Sequence, residues 1–247
     1  RKTPPFSVER YNLNNDIYLE YKAYSSDSAL HYLNENMLLA RQLNDKEREL
    51  KIQLELSYLL SSIGMYMEAA DILNSIDRQT LPSSLLGHYY TCYEHVYFEA
   101  GAAQPRYKMF ASRYVKLSHA YRDSMQITLD PSSATYLWLR ETQLREAGKY
   151  DEALEFSDRR LAESSFGTPQ YALVAYQRFR LFESMGKKDE HLYYLVLSAI
   201  SDVRSAIKEQ SSLMVLAQEL NSKGDLKRAY DYINSVSYTH LRAHETS

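Results

Sequence analysis

A short motif, Gly-x-Z-x-x-Ala with a large apolar or aromatic residue at Z, recurs along the chain and constrains its fold more than any other feature. The clear copies occupy residues 64–69, 148–153 and 224–229. A weaker copy begins at Gly186 and carries His191 where the alanine belongs. From residue 148 to 186 and from 186 to 224 the spacing is 38 residues, which is the length of two helices with their turns.

The motif has a direct physical interpretation as a helical hairpin. Glycine readily adopts the left-handed conformation that ends a first helix, and the small alanine lets a second helix pack closely against the first. Apolar residues precede each glycine at spacings of three and four, as with Leu56, Leu59 and Leu60 before Gly64. Such spacing gives a helix one buried face, so each copy of the motif predicts two packed helices.

Two further hairpins fit the same pattern. One has Ala29 at the small position after a turn at residues 24–26, and the other has a first helix that ends at Gly101. The second helix of this third hairpin is predicted to be long, from about Pro105 to Leu129. New first helices are expected near three prolines, because the first turn of a helix has no use for the missing N–H: Pro82, Pro131 and Pro169.

This pattern resembles the tetratricopeptide repeat (TPR) over about residues 8–235. The resemblance implies an all-α fold, an α-α superhelix or TPR-like solenoid of about six helical hairpins. We expect this repeat domain to span residues 1–236. The TPR resemblance also implies a protein or peptide as partner, because stacked repeats expose an extended concave surface.

A narrower resemblance comes from residues 10–14, 18–29 and 40–45. They are similar to the TPR half of a family of Bacteroidetes transcriptional regulators. That resemblance implies a signal peptide, a periplasmic repeat domain, one membrane helix and a DNA-binding part. Nothing after Asn234 matches a membrane helix, and the chain begins at Arg1 without methionine, so we expect a fragment that lacks the output half. A cytoplasmic location is the alternative, since a lone Cys92 does not distinguish the two compartments.

Charge and hydropathy exclude some classes of function. The formal net charge is −3, so no overall field attracts nucleic acid, and we predict no nucleic-acid binding by this fragment. No stretch approaches the roughly 20 apolar residues of a spanning helix, so no membrane span is predicted. Residues 237–247 resemble a translated sequencing-adapter read-through and are interpreted as a non-native tail, which leaves His240 and His244 without a metal-binding role.

One helix carries a possible metal-ligand set. His88, Cys92 and His95 share a face at i, i+4 and i+7, with Glu99 four residues later. Zinc binds such nitrogen, sulfur and oxygen ligands. We favour packing of the cysteine in the hairpin with the histidines at its margin, because ligands spread over two turns of one helix converge poorly on one ion. No metal or other cofactor is therefore predicted.

Catalytic patterns are missing from the sequence. The paired acids Asp151 and Glu152, and Asp189 and Glu190, fall at the starts of second helices, where carboxylates favour the helix dipole and cap free N–H groups. There is no Gly-rich phosphate loop, nucleophile elbow or His-Glu-x-x-His motif. We predict that the chain is not an enzyme.

Tyrosine is unusually frequent, with 23 residues against 7 phenylalanines and 1 tryptophan. Aromatic and arginine side chains are enriched at binding hot spots. If the first helices line the concave surface, the repeat phase predicts that seven residues face a ligand groove: Tyr11, Tyr18, Tyr21, Tyr58, Trp138, Tyr176 and Arg180. The alternative is that such residues merely fill gaps between repeats, and we expect this for about half of them.

Three hypotheses for function follow. The first is a protein- or peptide-binding sensor domain of a bacterial regulator. The second is a structural scaffold or assembly factor without regulatory output. The third, least favoured, is a metal-dependent activity at His88, Cys92 and His95.

Overall fold

The computed structural model describes residues 6–22, 25–103, 106–205, 211–232 and 234. Within these ranges all regular secondary structure is helical. The helices are α1 (Val8–Lys22), α2 (Ser26–Gln42), α3 (Lys46–Ser62), α4 (Tyr66–Ser75), α5 (Ser83–Ala102), α6 (Lys108–Thr128), α7 (Ala134–Glu146), α8 (Tyr150–Ala162), α9 (Pro169–Ser184), α10 (Lys188–Arg204) and α11 (Ser211–Ser222). Residues 226–232 are also helical. None of the described helices is both long enough and apolar enough to cross a bilayer.

Successive helices pack in pairs inside two compact units. Residues 1–131 form the first unit and residues 132–247 the second. The first contains the hairpins α1–α2, α3–α4 and α5–α6, and the second contains α7–α8 and α9–α10, followed by α11 and the helical residues 226–232. The predicted class, an all-α array of TPR-like hairpins, is confirmed. The predicted tail, residues 237–247 with His240 and His244, lies outside the described residues.

Glycine ends the first helix of the hairpins as the motif predicts. Gly64, Gly148, Gly186 and Gly224 have φ values of 88°, 73°, 71° and 81°, a region that other residues rarely adopt. The N–H of the following residue bonds to a carbonyl five residues back, as in Met65 to Leu60 at 2.9 Å. This bond satisfies a carbonyl that the helix end would otherwise leave free.

The alanine of the motif is buried, as predicted. Ala29, Ala69 and Ala153 are fully buried, and Ala229 is 4% exposed. In the weaker copy, His191 takes this position and its ring lies 4.8 Å from that of Phe179. A larger side chain is therefore accommodated in that hairpin by ring packing.

Gly101 does not end α5, which corrects the prediction for the third hairpin. The helix continues to Ala102, and the N–H of Ala103 still bonds to the carbonyl of Glu99 at 2.9 Å. Gly101 is buried, and a Cβ on it would lie 3.4 Å from Cβ of Tyr114. The glycine thus lies in the packed contact between α5 and α6. The expected long second helix is present as α6, although Pro105 lies outside the described residues.

Buried polar pairs link the two helices of some hairpins. Nε of Arg122 on α6 lies 2.8 Å from Oε1 of Glu94 on α5, and both side chains are buried. Arg160 on α8 pairs with Glu141 on α7 in the same way. Burying a charge is costly unless it is paired, so these contacts fix which helix faces fit together.

Candidate functional site

A group of polar and aromatic side chains connects the first helices of all three hairpins in the first unit. We call it the Glu55 cluster, and it consists of Tyr18 and Lys22 on α1, Glu55 and Tyr58 on α3, and His88 and His95 on α5. Glu55 follows Tyr18 by 37 residues, and His95 follows Tyr58 by the same number. This spacing is close to one repeat, so equivalent helix faces of neighbouring hairpins meet here.

Glu55 is the centre of the cluster. Its Oε2 accepts hydrogen bonds from the Tyr18 hydroxyl at 2.6 Å and from Nζ of Lys22 at 3.0 Å. Its Oε1 lies 3.7 Å from Nε2 of His88. Burial tends to raise the pKa of this carboxyl, but the charge of Lys22, the nearby imidazole of His88 and the hydrogen bonds from Tyr18 and Lys22 outweigh burial and lower the pKa. Glu55 is therefore a carboxylate at neutral pH.

A column of rings continues from Lys22 toward α5. Nζ of Lys22 lies 4.7 Å from the centroid of the Tyr58 ring, which stacks on the His95 ring at 4.0 Å with an interplanar angle of 9°. Nε2 of His95 lies 3.0 Å from Oγ of Ser62. Burial, with a smaller contribution from Lys22, lowers the pKa of His95 to about 4. The imidazole is neutral at neutral pH and can either donate to or accept from the serine hydroxyl.

The cluster is only partly covered by protein. The side chains of Lys22, Glu55 and His88 are 33%, 18% and 28% exposed, and Tyr58 and His95 are half-buried. Partial burial strengthens electrostatic contacts and still allows a ligand to reach the charged groups.

In the first unit, the four tyrosines predicted to line a groove have different positions. Tyr11 and Tyr18 are buried in the core, at 6% and 1% exposure, and only the hydroxyl of Tyr18 joins the Glu55 cluster. Tyr21 is half-buried and stacks on Tyr32 of α2 at 5.8 Å. Tyr58 is the member of this set whose ring lies in the cluster.

The other three predicted groove residues belong to the second unit. Trp138 on α7 and Tyr176 on α9 are half-buried, and the Tyr176 ring lies 5.4 Å from that of Phe179. Arg180 on α9 is exposed, with Nε 3.4 Å from Oε2 of Glu183 one turn later. An ion pair of this kind is weak in water, so Arg180 is available to a ligand.

Each member of the suggested metal-ligand set has another partner. Cys92 is fully buried, its Sγ donates to the carbonyl of Leu54 at 3.4 Å, and burial raises the pKa of its thiol. His88 faces Glu55, and His95 stacks on Tyr58. Among the described residues, no group of three or more His, Cys, Asp or Glu side chains is placed to hold a metal ion.

Sequence reasoning missed Lys22 and Glu55 as functional candidates. Lys22 follows Tyr18 by four residues, and Glu55 precedes Tyr58 by three, so both charges lie on the same helical faces as predicted tyrosines. That spacing is the signal by which they could have been found.

Comparison with known families gives one finding. The family model described as the SusR N-terminal TPR domain matches residues 2–238. No curated protein matches the chain.

Proposed function

The chain belongs to the family of SusR N-terminal TPR domains, and from this membership we propose that it is a non-enzymatic domain that binds a protein or peptide through the Glu55 cluster. The observation that supports this site most is that Lys22 and His88, from the hairpins on either side, both lie within 4 Å of Glu55. Repeat proteins bind partners over surfaces to which several repeats contribute.

The chemistry of the cluster suits a polypeptide segment. The ammonium of Lys22 uses one of its three donors on Glu55, which leaves donors for a peptide carbonyl. Glu55 keeps acceptor capacity for a peptide N–H or hydroxyl. The Tyr58 and His95 rings are only half-buried, so their uncovered parts offer contact area to a side chain of the ligand.

Peptide display on the purified chain tests this site. Peptides selected on the wild-type chain should bind Lys22→Met and Glu55→Gln about tenfold more weakly, because each change removes a partly buried charge from the cluster. The control is Lys46→Met with Glu49→Gln, an ion pair whose lysine is 85% exposed and which lies outside the cluster. Equal affinity for all variants would show that the peptides bind elsewhere.

We also propose that Trp138, Tyr176 and Arg180 of the second unit contact a ligand, because Trp138 and Tyr176 are half-buried and Arg180 is exposed. Trp138 is the single tryptophan of the chain, so its fluorescence emission reports events at α7. A selected peptide that shifts this emission, and that binds Arg180→Ala more weakly, would place the second unit in the binding surface. If the peptide leaves the Trp138 emission unchanged and binds Arg180→Ala as tightly as the wild type, the second unit is not part of the binding surface.

We also propose that the domain is the periplasmic sensor part of a membrane-anchored bacterial regulator. The support is the SusR family membership and the resemblance of residues 10–14, 18–29 and 40–45 to such regulators. In the intact gene, Glu55→Gln should alter transcription of the regulated genes without altering the amount of protein. A scaffold, the alternative role, would instead lose an assembly and leave transcription unchanged.

A further inference from the structure

The outer side of α6 carries a second surface that does not involve the Glu55 cluster. Met109, Ser112, Arg113, Lys116 and Leu117 line an open depression of about 490 Å³. They follow the spacing i, i+3, i+4, i+7 and i+8, which places them on one face of the helix. We call this set the α6 face.

Apolar side chains are unusually exposed along and beside this face. Met109 is 74% exposed, Tyr107 is 64% exposed and Phe110 is 47% exposed. The opposite side of α6 packs against the rest of the protein, because Ser118, Arg122 and Met125 are buried. Exposed apolar residues grouped in this way mark interaction sites more often than single exposed residues do.

The charge of this segment has one sign. Residues 106–122 contain five basic residues and no Asp or Glu, and the first acidic residue of α6 is Asp123, beyond the residues that line the depression. Arg122 is neutralised by Glu94, whereas Arg113 and Lys116 form no ion pair with any described residue. The surface around the depression is therefore positive although the chain as a whole carries a net charge of −3.

We propose that the α6 face binds an acidic amphipathic helix of a partner protein. Carboxylates of such a helix would pair with Arg113 and Lys116, and its large apolar side chains would fill the depression beside Met109 and Leu117. Methionine adapts to differently shaped side chains, and an amphipathic helix in a groove is a recurrent mode of recognition. This inference goes beyond the proposed function, because it concerns other residues on a different surface and a polypeptide ligand defined by its acidic charge and helical form.

Three designed 18-residue peptides test the proposal on the full chain by fluorescence anisotropy. One carries Glu and Leu on opposite faces, the second replaces Glu by Lys, and the third replaces Leu by Ala. The Glu/Leu peptide should bind at least about tenfold more tightly than the other two, because it alone supplies both the charge and the apolar face. Its affinity should also fall as salt is raised.

Variants locate the binding surface. The double variant Arg113→Glu with Lys116→Glu should reverse the preference toward the Lys/Leu peptide. Lys187→Glu with Lys188→Glu, two exposed residues at the start of α10, is the matched control and should leave the preference unchanged. All four positions are exposed or at a helix start, so circular dichroism should show unaltered helix content.

Two results would overturn the proposal. One is the absence of saturable binding by the Glu/Leu peptide, or binding that the Arg113→Glu and Lys116→Glu changes leave intact. The other is sedimentation of the chain with phosphatidylserine vesicles, but not phosphatidylcholine vesicles, in a way that depends on Arg113 and Lys116 and excludes the peptide. The α6 face would then be a lipid-binding surface.

Discussion

The rings of Tyr58 and His95 lie face to face, 4.0 Å apart and nearly parallel, and join α3 of the second hairpin to α5 of the third. The His95 ring contacts Tyr58 and Ser62 of α3, and the positive charge of Lys22 on α1 helps to lower its pKa. The contact therefore connects the packing of three hairpins with the protonation of one imidazole.

Stability should fall in acid because of His95. Burial, and to a lesser degree Lys22, lowers its folded pKa to about 4, below the value of 6.5 for a free imidazole. As the pH falls, the unfolded chain therefore takes up the proton at a higher pH than the folded chain does. The free energy of unfolding is unaffected by this group above pH 6.5 and declines as the pH falls toward 4. The loss between pH 7.5 and 5 should be on the order of 1–2 kcal/mol, measured from urea unfolding.

His95→Phe should reduce this loss because the variant keeps the ring stack without the titrating nitrogen. His119→Gln, on the exposed side of α6, is the control and should retain the acid sensitivity of the wild type. An unchanged acid sensitivity in His95→Phe would assign the effect to other groups, such as His88, whose pKa burial also lowers.

Enlarging the buried alanine of a hairpin should destabilise the chain. Ala69 and Ala153 have no exposed surface, so Leu at either position overpacks the contact between two helices. We expect a cost on the order of 1–3 kcal/mol for each change, measured by denaturant unfolding. Ala120→Leu, at an exposed position of α6, should change stability little, and equal effects at all three sites would contradict the repeat register.

The two kinds of glycine should respond differently to alanine. Gly148 has a φ of 73°, so Gly148→Ala should cost about 1–2 kcal/mol even though open space surrounds the added Cβ. Gly101 lies inside α5, where alanine favours the helix by up to about 1 kcal/mol and the added Cβ makes a tight contact with Tyr114. Gly101→Ala should therefore be neutral or mildly stabilising, and thermal unfolding of both variants checks the difference.

Removing one charge of the buried pair Glu94 and Arg122 should destabilise the protein much more than removing one charge of an exposed pair. Glu94→Gln removes the buried negative charge that faces the Arg122 guanidinium and should cost about 3–5 kcal/mol. The double change Glu94→Leu with Arg122→Met should recover most of the loss, because apolar side chains can replace a buried pair. Lys149→Met, in a pair with Glu152 that is more than half exposed, should cost at most about 1 kcal/mol, as denaturant unfolding would show.

The hairpins could be predicted from the sequence because their determinants are local. A glycine that needs a left-handed turn and an alanine five residues later act on the same hairpin, as at Gly64 with Ala69. Gly101 shows the limit of this reasoning. A glycine can end a helix or lie within one, and only the structure shows that Gly101 lies within α5 and faces Tyr114 on α6.

The candidate site was predicted less completely, because helical periodicity shows which residues share a face but not what covers that face. Tyr18 was expected on a surface, yet its ring is buried and its hydroxyl bonds to Glu55, 37 residues later. Lys22 and Glu55 carry the charges of the cluster, but neither belongs to a motif that would identify it from the sequence.

The sequence by itself determined the succession of helical hairpins and the close approach within them, since backbone conformation and side-chain size at single positions impose both. Only the tertiary structure decided that Lys22, Glu55 and His88 meet, and that the α6 face remains uncovered. Those outcomes depend on how one hairpin is rotated against the next, which many weak packing contacts set together.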